Sequence, residues 1–223
     1  MPPSHSGDTL ESAAAYVSAG SGPSRSVSKY ETEAVAERAE RYQIEHQFLM
    51  EWARQNNKLG AELPPDQKGG AEHSVFFDEA SQRWIKATRP PGFGEVKILH
   101  DGKVVPSLAT PSEYLERLIL SNDIFHDDIR IEKIVPTHDG LAIVTSQSNI
   151  VGEPATSDQI ESAMRQLGFE KVADESFYSA SRKILVTDLG SRNAAFSMGH
   201  VLPFDAMVQP STPEFIFSLK LSG

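Results

Sequence analysis

The chain has 223 residues and no cysteine, so disulfides, cysteine–zinc sites and thiol nucleophiles are excluded, and its length suffices to bury a core without them. A formal net charge of -10 argues against non-specific nucleic-acid binding, which rests on basic patches. No window approaches the roughly 20 apolar residues of a membrane span, and the N-terminus lacks the basic–apolar pattern of a secretory signal, so a cytoplasmic protein with no membrane partner is expected.

Residues 1–28 are rich in Ser, Gly, Ala and Pro and nearly free of large apolar side chains, which predicts a disordered leader with at most a brief helix around Ala13–Val17. Residues 29–57 turn helical: Val35, Ala39, Tyr42, Leu49 and Ala53 recur at helical spacing, and Phe48 and Trp52 widen the stripe. His46 lies on that stripe and reads as a packed side chain. Residues 58–223 form the third segment, a single domain that opens on a loop with Pro64-Pro65 and Gly69-Gly70.

Two strands follow, Ser74–Phe77 and Arg83–Thr88, joined by a turn over Asp78–Gln82. Taken alone, Lys86 on the second strand reads as an exposed lysine at a sheet edge. Asp101-Gly102 marks a short hairpin. Thr110-Pro111-Ser112-Glu113 opens a helix with an N-cap, a first-turn proline and a capping-box glutamate, and Leu115, Leu118 and Ile119 give it an apolar face. Ile129–Val135 alternates as a strand, Pro136 is expected to stop it, and Asp139-Gly140 turns the chain into a second strand, Leu141–Thr145.

Thr156–Gln159 is another capping box, with Ile160, Met164 and Leu167 as the helix stripe and Gly168 as its end. Next comes a short apolar run, Ile184–Val186, ending on Thr187-Asp188. A small-residue turn at Gly190-Ser191 delivers Asn193. A Met198-Gly199-His200 tip leads into Val201-Leu202, and that run ends on Asp205. Phe215–Phe217 reads as a last strand. Two strand-like runs thus end on carboxylates with a carboxamide between them. That arrangement suits a site that positions a hydroxyl and holds a divalent metal on phosphate oxygens. The oxygens of Asn193 and Asp205 suit Mg²⁺, which takes a few protein oxygens and keeps the rest of its shell for water and phosphate.

Asp188-Leu189-Gly190-Ser191-Arg192-Asn193 resembles the D-x-x-x-x-N catalytic loop of protein kinases, and Asp205 resembles the metal-binding aspartate after it. With its flanking strands the chain resembles, from about Leu59 to Pro210, a kinase-like domain of polyvalent proteins from bacterial mobile elements. The resemblance implies an α+β fold: a compact, truncated protein-kinase-like fold with an antiparallel N-lobe sheet, one helix and a minimal C-lobe. It implies ATP and Mg²⁺ as cofactors, a nucleotide as ligand and a protein as substrate or partner. Asp188 would orient or deprotonate the acceptor hydroxyl, Lys86 would neutralise phosphate charge, and Asn193 and Asp205 would hold the metal. Gly69 and Gly70 would cover the nucleotide, and the segment Thr145–Asn149, centred on Gln147, would meet adenine through its backbone. The helix glutamate paired with Lys86 would be Glu113 or Glu116, with Glu116 favoured because Glu113 already serves the capping box.

Several residues depart from the kinase pattern. Val186-Thr187 replaces the usual His-Arg, and Gly190 stands where a lysine is common, leaving Arg192 as the only substitute for its charge. Asp205-Ala206-Met207 lacks Phe-Gly, and little chain follows for an activation segment and a helical, peptide-docking lobe. The first functional expectation is an ATP- and Mg-dependent phosphotransferase of unknown acceptor. The alternatives are a catalytically inactive nucleotide-binding or protein-interaction module and a purely structural mobile-element module.

Overall fold

The structure, a computed structural model, describes residues 7–21, 35–65 and 67–222. Among them are five helices and several small antiparallel sheets. The expectation of disorder at residues 1–6 and 22–28, and of helix at 29–34, lies outside the described residues.

The expected disordered leader is corrected over its middle, where helix α1 (Gly7–Gly20) forms. Leu10, Ala13 and Val17, at helical spacing, are fully buried against Leu49, Trp52 and Ala53 of helix α2 (Val35–Gln55). Trp52 Nε1 donates to Ser12 Oγ at 3.2 Å. Two large apolar residues and an alanine suffice here because the helices beneath supply the rest of the apolar surface, which a count made on the segment alone does not include.

The inner face of α2 is less apolar than its stripe predicts, since Arg38 and Glu45 are also buried. Both are used on helix α3 (Pro111–Phe125), whose predicted capping box with Thr110 and Glu113 is present. Glu45 accepts from the Ser112 backbone N–H at 2.9 Å and from Ser112 Oγ at 2.8 Å. A carboxylate at these free N–H groups satisfies them and complements the positive end of the helix dipole.

The main sheet is antiparallel, in the order β1 (Lys68–Gly69), β2 (His73–Asp78), β3 (Arg83–Thr88), β7 (Gly140–Ser148), β6 (Arg130–Thr137). β3 is therefore an inner strand, with Lys86 opposite both Val75 and Thr145, and the sheet-edge reading of Lys86 does not hold. β6 runs through Pro136, which pairs with Leu141, so Pro136 does not stop the strand. β6 is the last strand of that sheet, where a missing ladder donor is tolerated. A hairpin, β4 (Glu95–His100) and β5 (Lys103–Leu108), turns at Asp101-Gly102, both at positive φ, between β3 and α3. Leu115 and Leu118 of α3 join Ile131, Ile134, Leu141 and Ile143 of the sheet in the first core.

The second part begins with β8 (Glu153–Pro154) and helix α4 (Ser157–Gln166), whose Thr156–Gln159 capping box is formed as expected. Two small sheets follow. One has the order β14 (Met207–Pro210), β11 (Ile184–Thr187), β10 (Ser176–Ser179), β9 (Glu170–Ala173), and the other β13 (His200–Pro203), β12 (Ala194–Ser197), β8. Ile160, Met164, Phe169, Phe177 and Val186 form their core, which Ile124 of α3 joins to the first part. The expected last strand at Phe215–Phe217 is instead helix α5 (Pro213–Ser222). Thr212 starts it, accepting the Phe215 N–H on its side chain and the Ile216 N–H on its backbone, and Pro213 provides the favoured first-turn residue. Among the described residues no helix is long and apolar enough to cross a membrane.

Candidate functional site

Strand alternation and two tight turns bring Lys86, Gln147, Asp188, Asn193 and Asp205 to one place. On β3, Lys86 shares a face with Trp84, and across the ladder these two stand opposite Thr145 and Gln147 of β7. β11 ends at Thr187, and Asp188 then takes the left-handed conformation with φ 57, which turns the chain out of the sheet. The following loop closes on itself, with the Asn193 N–H donating to the Gly190 carbonyl at 2.9 Å. The Phe204 N–H then donates to the Asn193 carbonyl at 3.0 Å, fixing the residue before Asp205 against that loop.

A cleft of about 1090 Å³ lies between the two parts, and Gly70, Lys86, Gln147, Asp188, Asn193 and Asp205 all line it. Lys86 Nζ donates to the Phe204 carbonyl at 2.8 Å and to Asp205 Oδ1 at 3.3 Å. Asn193 Nδ2 donates to Asp188 Oδ2 at 2.9 Å and to the Asp188 carbonyl at 2.6 Å. The Asn193 nitrogen is thus committed to Asp188, and its oxygen is the atom left to ligate. Burial works against ionisation of Asp205, but Lys86 and Arg117 outweigh it and hold the carboxyl below its ordinary value. The site therefore keeps an anion ready for a cation. Gly69 pairs with Ser74, the ladder pair that adjoins the β1–β2 turn, and Gly70 lies in that turn, on the cleft.

The expected partnership of Lys86 with a helix glutamate is not formed. Glu113 is fully buried on the far side, where it accepts from Arg38 Nη1 at 2.8 Å, Arg38 Nη2 at 2.5 Å and Arg41 Nη2 at 2.9 Å. Burial pushes its carboxyl up, and the bonds and charges of Arg38 and Arg41 overcome this and hold it at about 2. Glu116 does not line the cleft either. The reason is helical phase: the face of α3 turned toward Lys86 carries Tyr114, Arg117, Leu118 and Ser121, which line a narrow recess behind Lys86, and of these Arg117 also reaches the cleft; positions 113 and 116 fall off that face.

That face introduces a residue the sequence reading missed. Arg117 Nη1 donates to Glu72 Oε2 at 3.1 Å, so an ion pair does link helix and sheet, with its charges reversed: the cation sits on the helix and the anion on the β1–β2 turn. Arg117 is three residues after Tyr114 and four before Ser121, a spacing that was readable. Beside it His73 Nε2 stands 3.0 Å from the Tyr114 hydroxyl, and burial, with the nearby Arg117 and Lys86, pushes the imidazole down to about 3. His73 is therefore neutral at physiological pH.

Arg192 lies against the Asp188 carboxylate and also binds Glu175 at 3.0 Å. Asp188 raises the Arg192 guanidinium pKa further. Gly190 lies beneath this pair, where a Cβ would displace the Glu175 carboxylate from its present position. A second omission is Trp84, which lines the cleft and donates from Nε1 to Asn149 Oδ1 at 2.9 Å. Gln147 is 4 % exposed, and among the described residues its Nε2 has no hydrogen-bond partner. Among the described residues no three His, Asp or Glu side chains cluster as a self-sufficient metal site. A cation here would need the mixed set of Asp205 and Asn193 completed by phosphate and water, which is the coordination Mg²⁺ favours.

The family model described as serine/threonine/tyrosine kinase found in polyvalent proteins matches residues 42–210. No curated protein and no solved structure matches the chain.

Proposed function

The chain belongs to the family of serine/threonine/tyrosine kinases found in polyvalent proteins, and from that premise we propose that the cleft binds Mg-ATP and transfers its terminal phosphoryl group to a hydroxyl. The observation that carries this reading is the convergence of Lys86, Asp188, Asn193 and Asp205, from three separate stretches of chain, on one cleft. The mixed fold, with an antiparallel sheet and helix α3 on one side of the cleft and small antiparallel sheets on the other, is consistent with a kinase-like domain.

Phosphoryl transfer asks a protein mainly for positioning and for charge to meet the phosphates. Lys86, anchored on an inner strand, offers the ammonium. Gly70, at the tip of the β1–β2 hairpin with Gly69 behind it, allows the backbone to approach the phosphates closely. Gln147 and Trp84, which line the cleft, would meet the nucleobase. Asp205 and the Asn193 oxygen would hold Mg²⁺, which would supply positive charge against that developing on the phosphate oxygens. Asp188 would accept the proton of the acceptor hydroxyl as its oxygen bonds to the terminal phosphorus and the bond to the ADP oxygen breaks. Asn193 and Arg192 hold that carboxylate in one orientation.

The Arg192–Asp188 ion pair also favours a second reading, a nucleotide-binding module without transfer, because the carboxylate that would receive the proton is already engaged by a guanidinium. Incubation of the full chain with terminally labelled ATP and Mg²⁺ separates the two. Label on the chain or on an added hydroxyl acceptor supports transfer. Binding of ATP with no label moved to any acceptor, water included, supports the module.

A further inference from the structure

Resting on the nucleotide reading above, we infer that Arg117 is a second phosphate-binding cation of this cleft, held by Glu72 and handed over to the phosphates when a nucleotide enters. Arg117 is 7 % exposed, and it lines both the main cleft and the narrow recess behind Lys86. A buried charge is costly unless it is paired and well hydrogen-bonded. Among the described residues Arg117 makes a single hydrogen bond, from Nη1 to Glu72 Oε2 at 3.1 Å. Glu72 itself is divided, because its Oε1 accepts the Glu95 N–H at 2.7 Å.

The anions around the guanidinium are few. Asp205 is engaged by Lys86 at 3.3 Å, and His73 Nε2 faces the Tyr114 hydroxyl. The remaining donors of Arg117 therefore suit a ligand with several acceptor oxygens, and the planar guanidinium fork matches phosphate in particular. Glu72 belongs to the turn at the tip of the β1–β2 hairpin, next to Gly70 and Ala71, on the side from which phosphates would approach. Phosphate oxygens and the Glu72 carboxylate compete for the same cation.

Competition and a merely structural strut give opposite results. If the pair only ties the hairpin to α3, Glu72→Gln leaves Mg-ATP affinity unchanged or weakens it. If Glu72 competes with phosphate, Glu72→Gln tightens Mg-ATP binding, and does so less in a chain that also carries Arg117→Met. The test is a calorimetric titration of the full chain with Mg-ATP. Arg117→Met is expected to weaken binding roughly tenfold or more, the loss of a charge-assisted hydrogen bond. Arg117→Lys is expected to recover part of it. Equal affinity in wild type and a folded Arg117→Met chain, alongside a clear loss in Lys86→Met, overturns the inference and leaves the nucleotide reading intact. Absence of Mg-ATP binding in wild type overturns both. Should Arg117→Met fail to fold, unchanged or weaker binding by Glu72→Gln is enough to overturn the inference.

Discussion

Lys86 and Asp205 stand 119 positions apart in the chain and 3.3 Å apart in the fold. Neither needs the other for its local structure, since Lys86 is fixed by the β2–β3–β7 ladder and Asp205 follows the β12–β13 hairpin. Their pairing brings a cation and a carboxylate together at a cleft, and the following expectations test what that pairing is for.

Asp205→Asn keeps the shape of the side chain and removes the charge that would face a metal. Calorimetry is expected to show Mg-ATP affinity falling by at least tenfold, the scale of a lost charge-assisted interaction. Equal affinity in the two chains would show that Asp205 holds no metal.

Asp188→Asn separates catalysis from turn stability. A positioned acid–base group contributes roughly 10²–10⁴-fold in rate, whereas a residue that only caps a turn contributes on the order of 1 kcal/mol of stability, by analogy with helix caps. Single-turnover transfer is expected to slow within the first range while Mg-ATP affinity stays near wild type. Transfer at the wild-type rate in the folded variant would remove Asp188 from the reaction.

Glu113→Gln removes the charge shared by Arg38 and Arg41, and breaking such a buried pair costs about 3–5 kcal/mol. The variant is expected to unfold at lower denaturant. The sign of the pH effect follows from a folded pKa near 2, below the ordinary 4.5. The stabilisation is complete above about 4.5 and is lost as pH falls toward 2. Wild-type stability that does not change over that range would contradict the pairing.

Asp127 behaves oppositely. Burial raises its carboxyl from 3.8 to about 6, with the Ser121 hydroxyl at 2.5 Å and the Lys86 and His126 charges only partly offsetting it. Its protonated form suits the fold, so its contribution is full below about 3.8 and is lost as pH rises through 6. Asp127→Asn is therefore expected to be more stable than wild type at pH 8, by roughly 1–3 kcal/mol, and no more stable at pH 4. Denaturant titrations at the two pH values decide it, and a variant less stable at pH 8 would reverse the assignment.

Leu10→Ala tests helix α1. A fully buried leucine cut to alanine costs about 2–5 kcal/mol, and thermal unfolding should report it. A loss within error would mean that α1 is not part of the core in solution.

Much of the fold was legible where local chemistry decides it. The Thr110 and Thr156 capping boxes, the Asp101-Gly102 turn and the β2–β3 hairpin depend on residues a few positions apart, and all stand where the sequence places them. The convergence of Lys86, Asp188, Asn193 and Asp205 was visible only through family resemblance, because spacing within one stretch does not say that residue 86 meets residue 205. Failures came where partners decide. The few apolar residues of α1 are enough only on top of α2, and Glu113 is claimed by arginines 72 and 75 positions earlier. The Phe215–Phe217 triplet looked like a strand because aromatic and β-branched side chains outweighed the Thr212-Pro213 helix start. Arg117 escaped notice because the apolar face of α3 was read from Leu115, Leu118 and Ile119, of which only Leu118 lies on the face that lines the recess behind Lys86.

The central claim is that the Lys86–Asp205 cleft is a Mg-nucleotide site, and direct titration of the full chain with ATP, with and without Mg²⁺, tests it most simply. The account predicts saturable binding that strengthens with Mg²⁺, weakens in Lys86→Met, and loses its Mg²⁺ dependence in Asp205→Asn. No binding under either condition, or binding unaffected by both substitutions, would contradict it.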